Sequence, residues 1–119
     1  MPLIPAKALP HFENMIYLPM VIIILQRDRE LVEKGPFKLK GPYIRLIDGA
    51  MKQVQSELQE TKAYLRRHDM KVLRNKGDEL FTEYIFMNGG YEDYRRYLNV
   101  RLRNRTEELL SAYFAMAKT

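Results

Sequence analysis

The 119-residue chain contains no cysteine. This absence excludes disulfides, thiolate zinc sites, iron–sulfur clusters and cysteine nucleophiles together. Histidine is scarce as well, since only His11 and His68 are present, and neither has a second ligand three or four residues away on a shared helical face. A chain without cysteine suits a reducing compartment, so we expect a cytoplasmic protein with no metal or other cofactor.

The sequence also lacks a long hydrophobic run. Its longest run, residues 15–25, is interrupted by Pro19. Such a helix spans about 16 Å, whereas the core of a bilayer requires about 20 helical residues. The polar residues 26–29 follow the run where a signal peptide would have a cleavage site with small residues. The sequence therefore predicts a soluble protein with neither a transmembrane segment nor a signal peptide.

The composition is that of a folded protein, with 46% hydrophobic residues, eight tyrosines and five phenylalanines. The length fits one domain. Pro2, Pro5 and Pro10 predict an extended N-terminal arm over residues 1–10. We therefore expect a single helical domain over residues 11–119.

Three long helices are predicted. The first begins near residue 11 and ends at Lys34, before Gly35. The second extends from Pro42 to about His68, and the third extends over residues 91–116. The second helix carries an apolar stripe that is typical of packing against another long helix. The stripe comprises Ile44, Ile47, Met51, Val54, Leu58 and Leu65, with Thr61 as its one polar position.

The segment between the second and third helices has two interpretations. Residues 70–74 and 78–86 form two strands of a β-hairpin if residues 75–77 form the turn. Alternatively, Asp78 caps a short extra helix that carries the apolar residues which follow it. The sequence does not decide between them. The predicted fold class is mainly α, with three long helices and a small β-hairpin or short extra helix between helices 2 and 3.

No grouping of residues indicates catalysis. The carboxylates lie on polar faces rich in Gln, Lys and Arg, where we expect water to solvate them. They therefore lack the buried environment that general acid–base catalysis requires. Ser56 and Ser111 belong to no nucleophile motif, and residues 89–90 lack the pattern of a phosphate-binding loop. We therefore expect a protein that is not an enzyme and that has no small-molecule substrate.

The first helix predicts self-association. Residues 20–25 are apolar on every side of the helix axis, and a helix without a polar face requires burial all round. The other predicted elements cover about two of its sides. An exposed aliphatic patch of this kind is rare in monomers. We therefore predict a homodimer whose interface contains Met20, Ile22, Ile23 and Ile24.

The excess of basic residues gives the alternative function. Twenty Lys and Arg against fifteen Asp and Glu give a net charge of +5. A DNA- or RNA-binding regulator would use a basic hairpin and the basic face of the C-terminal helix to contact phosphates. An ordinary solvated surface is the other interpretation. The candidate polyanion-binding residues are Arg66, Arg67, Lys71, Arg74, Lys76, Arg95, Arg96 and Arg103.

Overall fold

The computed structural model describes residues 3–117, which form three long helices and a three-stranded antiparallel sheet. The sheet lies between the second and third helices in the sequence, so the mainly α prediction is wrong and the fold is α+β. The elements in chain order are a 3₁₀ turn (Ala6–Ala8), α1 (Leu9–Lys34), α2 (Gly41–Arg67), β1 (Met70–Gly77), β2 (Phe81–Asn88), β3 (Tyr91–Leu98) and α3 (Asn99–Ala117).

The sheet is a meander in the order β1-β2-β3. β1 pairs with β2 from Met70 opposite Asn88 to Gly77 opposite Thr82, which confirms the hairpin and excludes the extra helix. The turn lies later than predicted, because Asp78 closes it. Its Oδ1 accepts hydrogen bonds from the backbone N–H groups of Phe81 (2.8 Å) and Leu80 (2.9 Å). These two bonds also lower the pKa of Asp78.

The third helix begins eight residues later than predicted. Residues 91–98 form β3, and α3 begins at Asn99. Gly89 has a φ of +60° and connects β2 to β3 with Gly90, so that Asn88 pairs directly with Tyr91. A two-residue Gly-Gly connection is a preferred hairpin turn. Burial then alternates from residue to residue along β3, as expected for a strand with one face on the core.

α1 and α2 are antiparallel and pack along their lengths. The predicted stripe of α2 is confirmed, because Ile47, Val54, Leu58 and Leu65 are buried. Thr61, the polar position of the stripe, is only 1% exposed, and its Oγ1 accepts a hydrogen bond from Asn14 Nδ2 at 3.1 Å. α1 continues through Pro19 as one helix.

The core consists of two clusters. In the first, the inner face of the sheet packs on the N-terminal half of α1, with Phe12 stacked on Phe86 at 4.7 Å between ring centroids. In the second, α3 packs across α1 and α2, and the buried Tyr113 donates a hydrogen bond to Glu57 Oε2. The sheet therefore lies at one end of the α1–α2 pair, and residues 35–40 connect the two helices at the other end.

Residues Ala6–Lys34 are long and apolar enough to cross a membrane by length and composition alone. Core helices of soluble proteins meet the same criterion, and 39% of the most apolar window of this segment is buried within the protein.

Candidate self-association groove

A groove of about 660 Å³ lies between α1, the inner face of the sheet and α3. Its surface is mainly apolar, and charged side chains lie at its rim. α1 and the sheet contribute Met20, Ile23, Ile24, Arg74, Thr82 and Tyr84. α3 contributes Asn99, Leu102, Arg103, Thr106, Glu107 and Leu110.

The wall from α1 carries a large exposed aliphatic side chain. Residues three and four positions apart share a helical face, so Met20, Ile23 and Ile24 line the groove together. Val21 and Leu25 point into the core and are 0% exposed. Ile23, between them in the sequence, is 64% exposed. The helix is therefore buried on one side and open on the groove side.

On the wall from α3, Thr106 uses its hydroxyl proton within its own helix. Thr106 is buried, and its Oγ1 donates to the carbonyl of Leu102 at 2.7 Å. The same oxygen lies 3.6 Å from the Sδ atom of Met20 on the opposite wall. Since the Thr106 hydroxyl is already bonded within its own helix, this part of the groove favours apolar contact.

Asn99 fixes the end of the groove where β3 becomes α3. Its Oδ1 accepts a hydrogen bond from Thr82 Oγ1 at 2.7 Å. Its Nδ2 donates to the carbonyls of Asp78 (2.8 Å) and Glu79 (3.1 Å). The amide thus joins α3 to the β1–β2 turn. Burial raises the pKa of Tyr84, which also lines the groove.

The rim carries charges of both signs. Arg74 and Arg103 supply guanidinium groups, and Glu107 supplies a carboxylate. Within residues 3–117, these three side chains take part in none of the ion pairs. The described lining contains neither histidine nor serine, so it offers no serine–histidine pair for nucleophilic catalysis. Over the same part of the chain, no group of three or more potential ligands is suitable for a metal ion.

The structure divides the four residues predicted at a dimer interface. Met20, Ile23 and Ile24 lie together in the groove. Ile22 lies on a different side of α1, where it packs on the second core cluster and borders a separate recess beside Leu58. The groove therefore contains three of the four residues that were predicted at a dimer interface.

The basic residues of α2 and β1 lie in several places. Arg66 and Lys71 border a common recess, and Arg67 is exposed at the end of α2. Arg74 belongs to the groove. Lys76 lies in a further recess, beside the turn between β1 and β2.

The basic residues of the third predicted helix lie partly on β3. Arg95 pairs with Asp93 at 2.7 Å and lies over the ring of Phe86. Arg96 lies over the ring of Phe81, 4.1 Å from its centroid. Arg103 is on α3, in the groove. Because alternate residues of a strand point to opposite faces, Arg95 and Arg96 cannot act on the same surface.

One cluster was not predicted from the sequence. The ring of Tyr64 lies between those of His11 and His68, with centroid distances of 3.8 and 4.2 Å. Tyr64 and His68 are four residues apart, which is the spacing of neighbours on one helical face, so their contact could have been predicted from the sequence. The approach of His11 depends on how α1 packs on α2, and no local pattern records it.

Comparison with known proteins places the chain in a family. Residues 3–118 match the family described as YhjD protein. A Bacillus subtilis (strain 168) protein called "Uncharacterized protein YhjD" is 40% identical over 101 residues, which cover 85% of this chain and 84% of that protein. No solved structure matches the chain significantly. The extent of both matches shows that the chain belongs to the YhjD protein family.

Proposed function

We propose that this protein is a non-catalytic interaction module that forms a homodimer through the groove. The observation that carries the proposal is Ile23, which is 64% exposed on a helix whose nearby residues Val21 and Leu25 are fully buried. Contiguous apolar surface beside a groove is typical of an interaction site. The apolar walls of the groove favour association with another apolar surface.

The energies involved are of comparable size. Complete burial of a large aliphatic side chain contributes about 1.5–3 kcal/mol. Association costs about 4–15 kcal/mol in lost freedom of motion. A symmetric contact buries Met20, Ile23 and Leu110 from each copy, six side chains in all. Met20 and Leu110 are already partly buried in the core clusters, so the two Ile23 side chains gain most, and the total reaches only the lower end of the cost.

The rim supports a two-fold contact in particular. In such an interface the same patch meets itself, so it requires charges of both signs in matching places. Arg103 and Glu107 are one turn apart on α3, at the edge of the groove. If the α3 helices of two copies are antiparallel, Arg103 of each copy lies beside Glu107 of the other.

The test is the molar mass of the protein at micromolar concentration, measured by light scattering and sedimentation velocity without detergent or lipid. We expect a dimer for the natural sequence and a monomer for Ile23→Asp, because the carboxylate would be desolvated in the interface. The matched control is Leu39→Asp in the connection between α1 and α2, where the leucine is 71% exposed and outside the groove. A monomeric natural protein contradicts the proposal.

A second candidate function is binding of a nucleic acid at the end of α2. Lys62, Arg66 and Lys71 surround one recess, and Arg67 is exposed beside it. Basic side chains grouped in this way contact phosphates and give affinities that fall steeply with salt. The test is a salt titration of binding to duplex DNA. Unchanged binding by the variant Arg66→Gln/Arg67→Gln/Lys71→Gln excludes this site.

A further inference from the structure

The connection between α1 and α2 exposes an unusual amount of apolar surface. We call residues 31–45 the helical tip. Leu31 is 59% exposed, Phe37 43%, Leu39 71% and Tyr43 51%. The rings of Phe37 and Tyr43 are in contact, with centroids 5.4 Å apart, so two of these side chains form one aromatic patch. The tip therefore presents apolar groups to solvent at the end of the molecule.

The same segment concentrates positive charge. Lys34, Lys38, Lys40 and Arg45 lie within it, and no acidic residue occurs between Glu33 and Asp48. Glu33 lies near the start of the tip and Asp48 follows its end, and both carboxylates pair with Arg29 of α1. Residues 34–47 thus have a formal charge of +4, compared with +5 for the whole chain. Basic and apolar residues also alternate from Phe37 to Lys40.

The helical tip projects beyond the rest of the fold. The described part of α3 ends at Ala117, which lies against Gly49 of α2. At about 1.5 Å per residue, the stretch from Gly49 back to Gly41 extends roughly 12 Å past that contact. The tip similarly begins about 12 Å along α1 from Ile23. It is accessible whether or not the groove is occupied.

We propose that the helical tip binds the surface of an anionic lipid bilayer. Phe37, Leu39 and Tyr43 enter the interface between headgroups and acyl chains, and the lysines contact the anionic headgroups. Aromatic side chains and the long stems of lysine both suit this environment. A nucleic acid would satisfy the positive charge, but it offers no partner for Leu39, the most exposed aliphatic side chain of the tip.

Insertion of the tip is tested with a tryptophan probe, because the chain contains no tryptophan. The full-length variant Leu39→Trp is mixed with vesicles of equal parts phosphatidylglycerol and phosphatidylcholine. We expect its fluorescence emission to shift to shorter wavelength as the indole leaves water. Leu80→Trp, on the β1–β2 turn and outside the helical tip, is the control and should show no shift. Equal shifts, or no shift for Leu39→Trp, overturn the proposal.

The charge requirement is tested by co-sedimentation with the same vesicles. Each basic residue near an anionic surface contributes roughly fivefold to partitioning, so Lys34→Gln/Lys38→Gln/Lys40→Gln should weaken binding on the order of 100-fold. The control Arg66→Gln/Arg67→Gln/Lys71→Gln removes the same charge elsewhere and should retain most of the binding. Equal losses in both variants, or equal binding to phosphatidylcholine alone, overturn the proposal. So does a tip that binds an oligonucleotide but no vesicle.

Discussion

The hydrogen bond between Thr61 and Asn14 provides a quantitative test of how α1 and α2 recognise each other. Thr61 is 1% exposed, Asn14 is half-buried, and the bond joins the two helices beside their buried apolar side chains. A buried polar group that loses its partner costs about 1–3 kcal/mol, whereas replacing both partners by apolar groups of similar shape is nearly neutral.

We therefore expect Thr61→Val and Asn14→Leu each to lower the free energy of unfolding by about 1–2 kcal/mol. Thr61→Val keeps the volume of the side chain and leaves the Asn14 amide without its partner. Asn14→Leu leaves a hydroxyl in the core without the amide that donates to it. The double variant should recover most of the loss, which gives a coupling energy of about 1–3 kcal/mol.

The assay is urea denaturation followed by circular dichroism. All four proteins are compared at one concentration, because self-association would otherwise shift the midpoint. Losses that simply add in the double variant would show that the two side chains do not interact. A double variant less stable than either single one would show that packing, rather than the hydrogen bond, determines the stability of this contact.

Three further outcomes are expected. Leu58→Ala, in the second core cluster, should lower the free energy of unfolding by about 2–5 kcal/mol, and an unchanged urea midpoint would contradict that packing. Asn99→Ala should cost on the order of 1–3 kcal/mol through loss of its bonds to Thr82 and the β1–β2 turn, measured in the same way. Burial raises the pKa of Tyr97 to about 12 and also raises the pKa of Tyr113, where the Glu57 contact adds to the effect. Because the unfolded chain releases these protons near pH 10 and the folded protein retains them, the free energy of unfolding should fall as pH rises from about 10 to 12. If the free energy of unfolding does not change between about pH 10 and pH 12 in a series of denaturation experiments, this assignment is excluded.

The helical hairpin was predictable from the sequence because its signals are local. Gly35 and Pro42 mark the ends of two helices, and the heptad-like spacing of the α2 stripe identifies the face that is buried. The exposure of Ile23 could also be expected from the sequence. A helix that is apolar on every side requires more packing partners than the other elements of a short chain supply.

β3 was missed because its pattern fits two periods. Tyr91, Tyr94 and Leu98 have helical spacing, and Arg95 and Arg96 break the apolar alternation expected of a strand. In the structure, Arg95 occupies the inner face because its guanidinium lies over the Phe86 ring and pairs with a carboxylate. This compensation depends on a neighbouring strand and cannot be derived from β3 alone. The composition of the groove depends in the same way on how α3 lies against α1.

The meander order of the sheet has a consequence for the rate of folding. Each strand pairs with its neighbour in the sequence, and α1 pairs with α2 through a short connection. Formation of these contacts therefore requires the closure of only short loops. The costly closures are those that bring the sheet and α3 back onto α1, such as the contact of Phe12 with Phe86. Chains dominated by local contacts cross their folding barrier quickly, in roughly microseconds to milliseconds. We therefore expect the helical hairpin and the meander to form early, and docking of α1 on the sheet to limit the rate.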